Sequence, residues 1–179
     1  MTRTLRSRVV LLTALATIGL ASVPVGGASA ADAAVRSCSA GDVTAKQTGD
    51  GAGMSQPFVQ VTVTNTSGSA CALKGYPSIT GMWTKSGKKA LATTNGSLGN
   101  MSDPGPRRFI LARGAHAWFA IGTATAYDPP LVTFRRVAFT VGSGASAAAA
   151  ISLQATAPSG KAFPVGVTAW APGVGRSDG

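Results

Sequence analysis

The sequence predicts an all-β fold, an antiparallel immunoglobulin-like β-sandwich of about eight strands, with a β-barrel as the other architecture open to it. Three observations lead there. Val59, Val61 and Val63 alternate with Gln60, Thr62 and Thr64, the period of two that sends one side of a strand into a core. The 23 glycines and 10 prolines cut the chain into short apolar runs separated by turn residues. Glutamate is absent altogether, and with so much glycine this argues against long amphipathic helices.

Residues 1–31 carry the marks of a secretory signal peptide. Thr2 to Arg8 is a basic segment, Val9 to Ala21 an apolar run, and Ala28-Ser29-Ala30 a small-residue cleavage site, with cleavage expected near Ala30 or Ala31. The apolar run is too short to span a bilayer comfortably, so no transmembrane helix is expected in the mature form. Cys38 follows Val35-Arg36-Ser37 rather than the small and apolar residues expected before a lipid-modified cysteine, which favours free secretion over a lipid-anchored form. The mature chain is expected to be one domain, residues 32–174, and a flexible tail, residues 175–179.

In order, Asp42 to Gln47 reads as a first strand and Thr48 to Gly53 as a flexible turn. Val59 to Asn65 is the alternating strand, ended by turn chemistry at Asn65 to Gly68. Leu73 to Trp83 comes next as a strand interrupted by Pro77 and Gly81, then a hairpin from Trp83 to Leu91 with its tip at Lys85 to Lys88. Residues 93–107 form a long irregular loop of a length more often used for binding than for mere connection. Further strands are expected at Arg108 to Leu111, His116 to Thr123 and Val132 to Val141, the last with Arg135, Val137, Phe139 and Val141 on one side. Ala147 to Leu153 suits a helix by composition, but Gly144 and the alternation at Ile151 to Leu153 favour a strand. Phe163 to Ala171 closes the domain, with the residues from Pro172 onward as a loose end.

Cys38 and Cys71 are the only two cysteines, and both come after the leader. In an oxidising compartment an even pair reads as a disulfide with one connectivity, whereas C-x-x-C redox or metal spacing is absent. Closing a loop of this size stabilises by about 3 to 4 kcal/mol in the chain-entropy model.

The run Asn65 to Pro77, N-T-S-G-S-A-C-A-L-K-G-Y-P, resembles the signature of the domain of unknown function 4232 family, exported proteins found mainly in high-GC Gram-positive bacteria. Cys38 to Val43 and Leu111 to Trp118 extend the resemblance over most of residues 38–169. Many members carry a later cysteine pair that this chain lacks. The family brings no established catalytic residues, so the resemblance implies none here.

The residues themselves support little catalysis. His116 is the only histidine, and a triad built from it with Ser102 and Asp103 or Asp128 has no nucleophile-elbow motif. Met54, Met82 and Met101 with His116 would be a copper set, but at irregular spacing; no metal site and no cofactor is expected. Of Trp83, Trp118, Trp170, Tyr76 and Tyr127, most should fill the core or its rim.

The formal charge is +10, with 16 Lys and Arg against six Asp, and losing Arg3, Arg6 and Arg8 with the leader still leaves the chain strongly basic. The basic residues are scattered through turns without the aromatic interleaving of nucleic-acid binders, which argues against nucleic acid. The expected function is therefore that of a monomeric, secreted, non-catalytic module binding an anionic cell-wall polymer, a glycan or an extracellular protein. It would use the loops 93–107 and 124–130, the latter carrying Tyr127, with Lys88, Arg107 and Arg108 as the basic rim. A small secreted hydrolase or enzyme inhibitor is the alternative.

Overall fold

A computed structural model of the chain describes residues 35–53, 56–97, 102–123, 130–142, 144–156 and 162–175. The expected signal peptide, Met54, Met101, Tyr127 and Asp128 lie outside them. The described residues form the expected antiparallel sandwich. They comprise twelve strands and one short 3-10 turn, Ala40–Asp42.

Strands β1 (Val43–Gly53) and β2 (Gln56–Asn65) form a long antiparallel hairpin. The glycine-rich stretch expected to be a turn is thus paired strand, and a bulge between Gln47 and Gly49 absorbs its irregularity. Gly51 serves its neighbour Phe58 rather than a turn: a β-carbon there would stand 2.7 Å from the ring. Val59, Val61 and Val63 point inward and are fully buried, as their alternation requires.

The expected strand from Leu73 to Trp83 is instead two, β3 (Cys71–Lys74) and β4 (Ile79–Thr84), in different sheets. Pro77 lies in the break between them, where no ladder needs its missing N–H. The hairpin turns at Lys85 and Ser86 into β5 (Gly87–Lys89). β6 (Leu91–Asn95) takes up the first residues of the expected loop and runs parallel to β11 (Phe163–Val167), the one parallel pairing among the described strands.

β7 (Arg108–Leu111) and β8 (His116–Thr123) fall where expected. β9 (Leu131–Thr140) corrects one expectation. A bulge leaves both Arg135 and Arg136 exposed between buried Phe134 and Val137, so Arg135 does not share the core side. The alanine run is a strand, β10 (Ser146–Thr156), and its alternate residues are buried throughout. The closing strand is broken after β11: Thr168 to Trp170 bulge out before β12 (Ala171–Pro172). There the Thr168 hydroxyl accepts the Ala120 N–H, replacing a lost ladder bond, while Trp170 drops into the core.

Sheet order is β1-β2-β8-β11-β6, with β12 also on β8, facing β10-β9-β4-β5; β3 and β7 pair separately. The core between the sheets centres on Phe119, Phe139 and Trp170, packed edge to face with centroids 4.8 to 6.1 Å apart. Past the last strand the chain stays attached. Gly173 N–H donates to the His116 carbonyl, and Gly175 N–H, at 3.0 Å, to the Thr62 hydroxyl beside Gln60 and Trp118.

One end of the sandwich is held by a buried polar knot. Asn65 is fully buried, and its side-chain NH2 donates to the carbonyls of Ser69 (2.9 Å) and Leu111 (2.8 Å). Its side-chain oxygen accepts from the N–H and hydroxyl of Ser67. The Asp42 carbonyl accepts from the N–H groups of Thr66 and Ser67. Asp42 also receives a two-pronged bond from Arg36, at 2.6 and 2.7 Å. Beside the knot Cys38 and Cys71 form the disulfide that the cysteine count predicts, with both cysteines fully buried. Gly142, at φ 63°, lies against it: a β-carbon there would collide with the Cys38 carbonyl oxygen.

Asn65→Ala would take the buried Leu111 carbonyl's bond from Asn65 and one of two bonds from each of the Ser69 carbonyl and the Ser67 N–H, so urea denaturation should show a loss of about 1 to 3 kcal/mol. A loss below about 0.5 kcal/mol, the size of an ordinary surface change, would contradict the knot. Labelling of denatured, unreduced protein should find no free thiol, and the Cys38→Ala/Cys71→Ala variant should lose about 3 to 4 kcal/mol.

Candidate functional site

Exposed cations and a tryptophan collect on the outer face of β10-β9-β4-β5. β4 alternates: Met82 is buried in the core, whereas Gly81 and Trp83 face outward. Strand register sets a row across the sheet. Lys88 on β5 pairs with Trp83, Trp83 with Arg136 on β9, and Arg136 with Ala150 on β10. A second row runs through Gly81, Ala138 and Ala148, small residues that leave the sheet low beside the ring.

Trp83 is half-buried and leans back over Gly81, where a β-carbon would stand 2.6 Å from its ring. Lys88 Nζ sits 5.6 Å from the ring centroid and the Arg136 guanidinium carbon 5.0 Å, both within cation–π reach. The β4–β5 hairpin and β9 carry five cations; Lys85, Lys88, Arg135 and Arg136 are exposed, whereas Lys89 pairs with buried Met82 and points to the opposite side from Lys88. No Asp lies on any of the four strands, and the chain has no Glu, so nothing on this sheet compensates them. Such a face attracts anions.

The other residues expected to form a basic rim lie elsewhere. Arg108 is on β7 in the two-stranded sheet and donates to the Val35 carbonyl, and Arg107 donates to the Pro104 carbonyl. Both are exposed, but neither is on the sheet that carries Lys88. Arg136 and the role of Trp83 escape a reading of the sequence, and the expected tip at Lys85 to Lys88 is a two-residue turn at Lys85 and Ser86 that puts Lys88 on β5 opposite Trp83. Arg136 needs the β4–β9 register, which no local pattern supplies.

Among the described residues of the loop, Asp103 acts as a brace. Asp103 accepts from the Tyr76 hydroxyl and, at 2.8 Å, from the Ala169 N–H, pinning the loop to the chain before β12. Burial opposes its ionisation, but bonds from Tyr76 and from the N–H groups of Ala169 and Gly105 outweigh that and hold its carboxyl below the ordinary value. His116 is exposed, with Nδ1 2.9 Å from the Thr64 hydroxyl, so the hydrogen bonds of His116 and Asp103 share no partner. The copper set is divided too, with Met82 inside the core and His116 exposed on the other sheet. Among the described residues no three His, Cys, Asp or Glu cluster as metal ligands would. A cleft of about 120 Å3 between Phe58, Thr94 and Pro164 is well below the roughly 300 Å3 and more of small-molecule sites.

The family model described as Domain of unknown function (DUF4232) matches residues 38–171, from the first half-cystine to the first residue of β12. The chain belongs to this family. No curated protein and no solved structure matches it. In this DUF4232 member the matched span contains the disulfide, the Asn65 knot and the cationic face together.

Acid should loosen the bracing. Bonds from Arg36 first, then from the N–H and hydroxyl of Ser39, hold the Asp42 carboxyl far below the usual carboxylate range. Asp103 is held below it as well. For both groups the unfolded chain binds more protons, so their contribution is complete above about pH 4 and is lost as pH falls through the lowered values. Thermal melts should be flat with respect to these groups from about pH 5 to 7 and fall below about pH 4, with Asp103→Asn less acid-sensitive than the parent. Equal acid sensitivity in that variant would count against Asp103 as a brace.

Proposed function

We propose that this chain is a secreted, non-catalytic binding module whose partner is an anionic polymer of the cell envelope. The outer face of β10-β9-β4-β5 is its binding surface. The carrying observation is the pair of cations at Trp83, Lys88 and Arg136, with exposed Lys85 and Arg135 on the same hairpin and strand, on a sheet without a carboxylate. Export is supported by the leader at residues 1–31 and by the disulfide, a bond suited to oxidising surroundings. No helix among the described residues is long and apolar enough to cross a membrane.

An extended sheet face is suited to a polymer, because it offers cations in a row across neighbouring strands rather than an enclosed pocket. Strands lie about 4.8 Å apart, so the row from Lys88 to Arg136 covers about 10 Å of sheet. Neutral glycans and extracellular proteins are the competing partners.

Purified protein should be retained on isolated envelope material at low ionic strength. It should be released as salt shortens the screening length from about 10 Å at 0.1 M to about 3 Å at 1 M. Lys88→Gln/Arg135→Gln/Arg136→Gln should elute early with an unchanged melting temperature, whereas Arg107→Gln/Arg108→Gln should be retained like the parent. No retention of the parent at low salt, or equal retention of the triple variant, would sink this reading.

A further inference from the structure

The geometry around Trp83 says how an anion would be read there. An aromatic platform for a sugar or base needs a free ring face. Here cations come to the ring from both flanking strands, Lys88 from β5 and Arg136 from β9. The Lys88 stem also crosses Gly81, its Cε 2.8 Å from where a β-carbon would stand, so stem and ring lie together in the space that glycine leaves. The ring thus already holds two cations within the protein. Lys88 and Arg136 are exposed, whereas Trp83 is half-buried, so the charged heads are the more accessible part of the site.

We infer that, within the binding face proposed above and resting on it, the ligand is read through its phosphate oxyanions rather than through any ring. Trp83 is then a positioning residue that holds Lys88 Nζ and the Arg136 guanidinium for successive phosphates of an unbranched phosphate-linked chain. Each cation has a distinct part. The Arg136 fork can take two oxygens of one phosphate, whereas the Lys88 ammonium acts as a compact point charge. Arg135, displaced outward by the β9 bulge, adds a further charge beside Arg136. Gly81 is part of the device, because any side chain there would lift ring and stem off the sheet.

Inorganic polyphosphate, which has charge but no ring, is the probe, titrated calorimetrically into the purified protein beside neutral dextran and polygalacturonate. Polyphosphate should bind, dextran should not, and polygalacturonate should be weaker. Trp83→Leu should weaken polyphosphate binding about threefold to thirtyfold by releasing the two cations, and Trp83→Phe should restore most of it. Proton resonances of the Lys88 and Arg136 side chains should be ring-shifted in the parent and in Trp83→Phe and relaxed in Trp83→Leu, with each variant's fold checked by its melting temperature. Lys88→Gln/Arg136→Gln should weaken binding more than the equal charge loss in Arg107→Gln/Arg108→Gln.

Dextran binding, polygalacturonate binding as tight as polyphosphate, parental affinity in Trp83→Leu, or equal loss in the two charge-matched pairs would each overturn the inference. Envelope retention without polyphosphate affinity would overturn it and leave the binding face standing. Loss of both would remove the face itself.

Discussion

A single buried amide, Asn65, holds together the parts of this molecule that hydrophobic burial alone would not register. Both its N–H bonds and its oxygen are used, joining the end of β2 to the next turn and to the end of β7. Its main chain binds Gly114 and Ala115, which positions the turn into β8. A fully satisfied polar group in a dry site specifies one arrangement, because every alternative leaves donors and acceptors unpaired. The disulfide and the Arg36–Asp42 pair clamp the first described segment onto the same corner. Apolar burial makes the sandwich stable, and this corner makes it unique.

That bracing distributes the two outer faces unequally. On the β1-β2-β8 side the chain after β12 crosses the sheet, bonding to Thr62 and His116, and Gln60 is buried there with its oxygen unpartnered. The other sheet keeps exposed cations around Trp83 and small residues along β9 and β10. Structural polar groups therefore gather at one corner, and the cations held at an aromatic ring lie on one face. The contrast between Asp103, fully engaged in holding its loop, and Lys88 and Arg136, held only by a ring, separates scaffold from surface.

The fold is legible in the sequence wherever side chains alternate. The valines of β2, the span of β8 and the alanine run of β10 all read correctly from local pattern. The failures share a physical cause, which is pairing with a partner strand that the segment's own pattern does not register. Thr48 to Gly53 looks like a turn until β2 and the Phe58 ring are placed over it. Thr93 to Asn95 looks like loop until β11 lies beside it. A two-residue period puts Arg135 on the core side because it cannot register the bulge that turns the residue outward. For the candidate site, Lys88 is legible from its hairpin. Arg136 is not, and basicity alone groups Arg107 and Arg108 with Lys88 although the topology places them on other elements.

If the sheet centred on Trp83 is the working surface and the Asn65 corner is scaffold, the two regions must respond differently to a ligand. Mapping backbone amide shifts by NMR while soluble envelope polymer is added separates them. Changes should be confined to β4, β5 and β9, strongest near Trp83, Lys88 and Arg136, with the amides of Asn65 to Cys71 and of Asp103 unmoved. Changes centred on the loop at Asp103 or on β7, with β4 and β9 silent, would contradict that division.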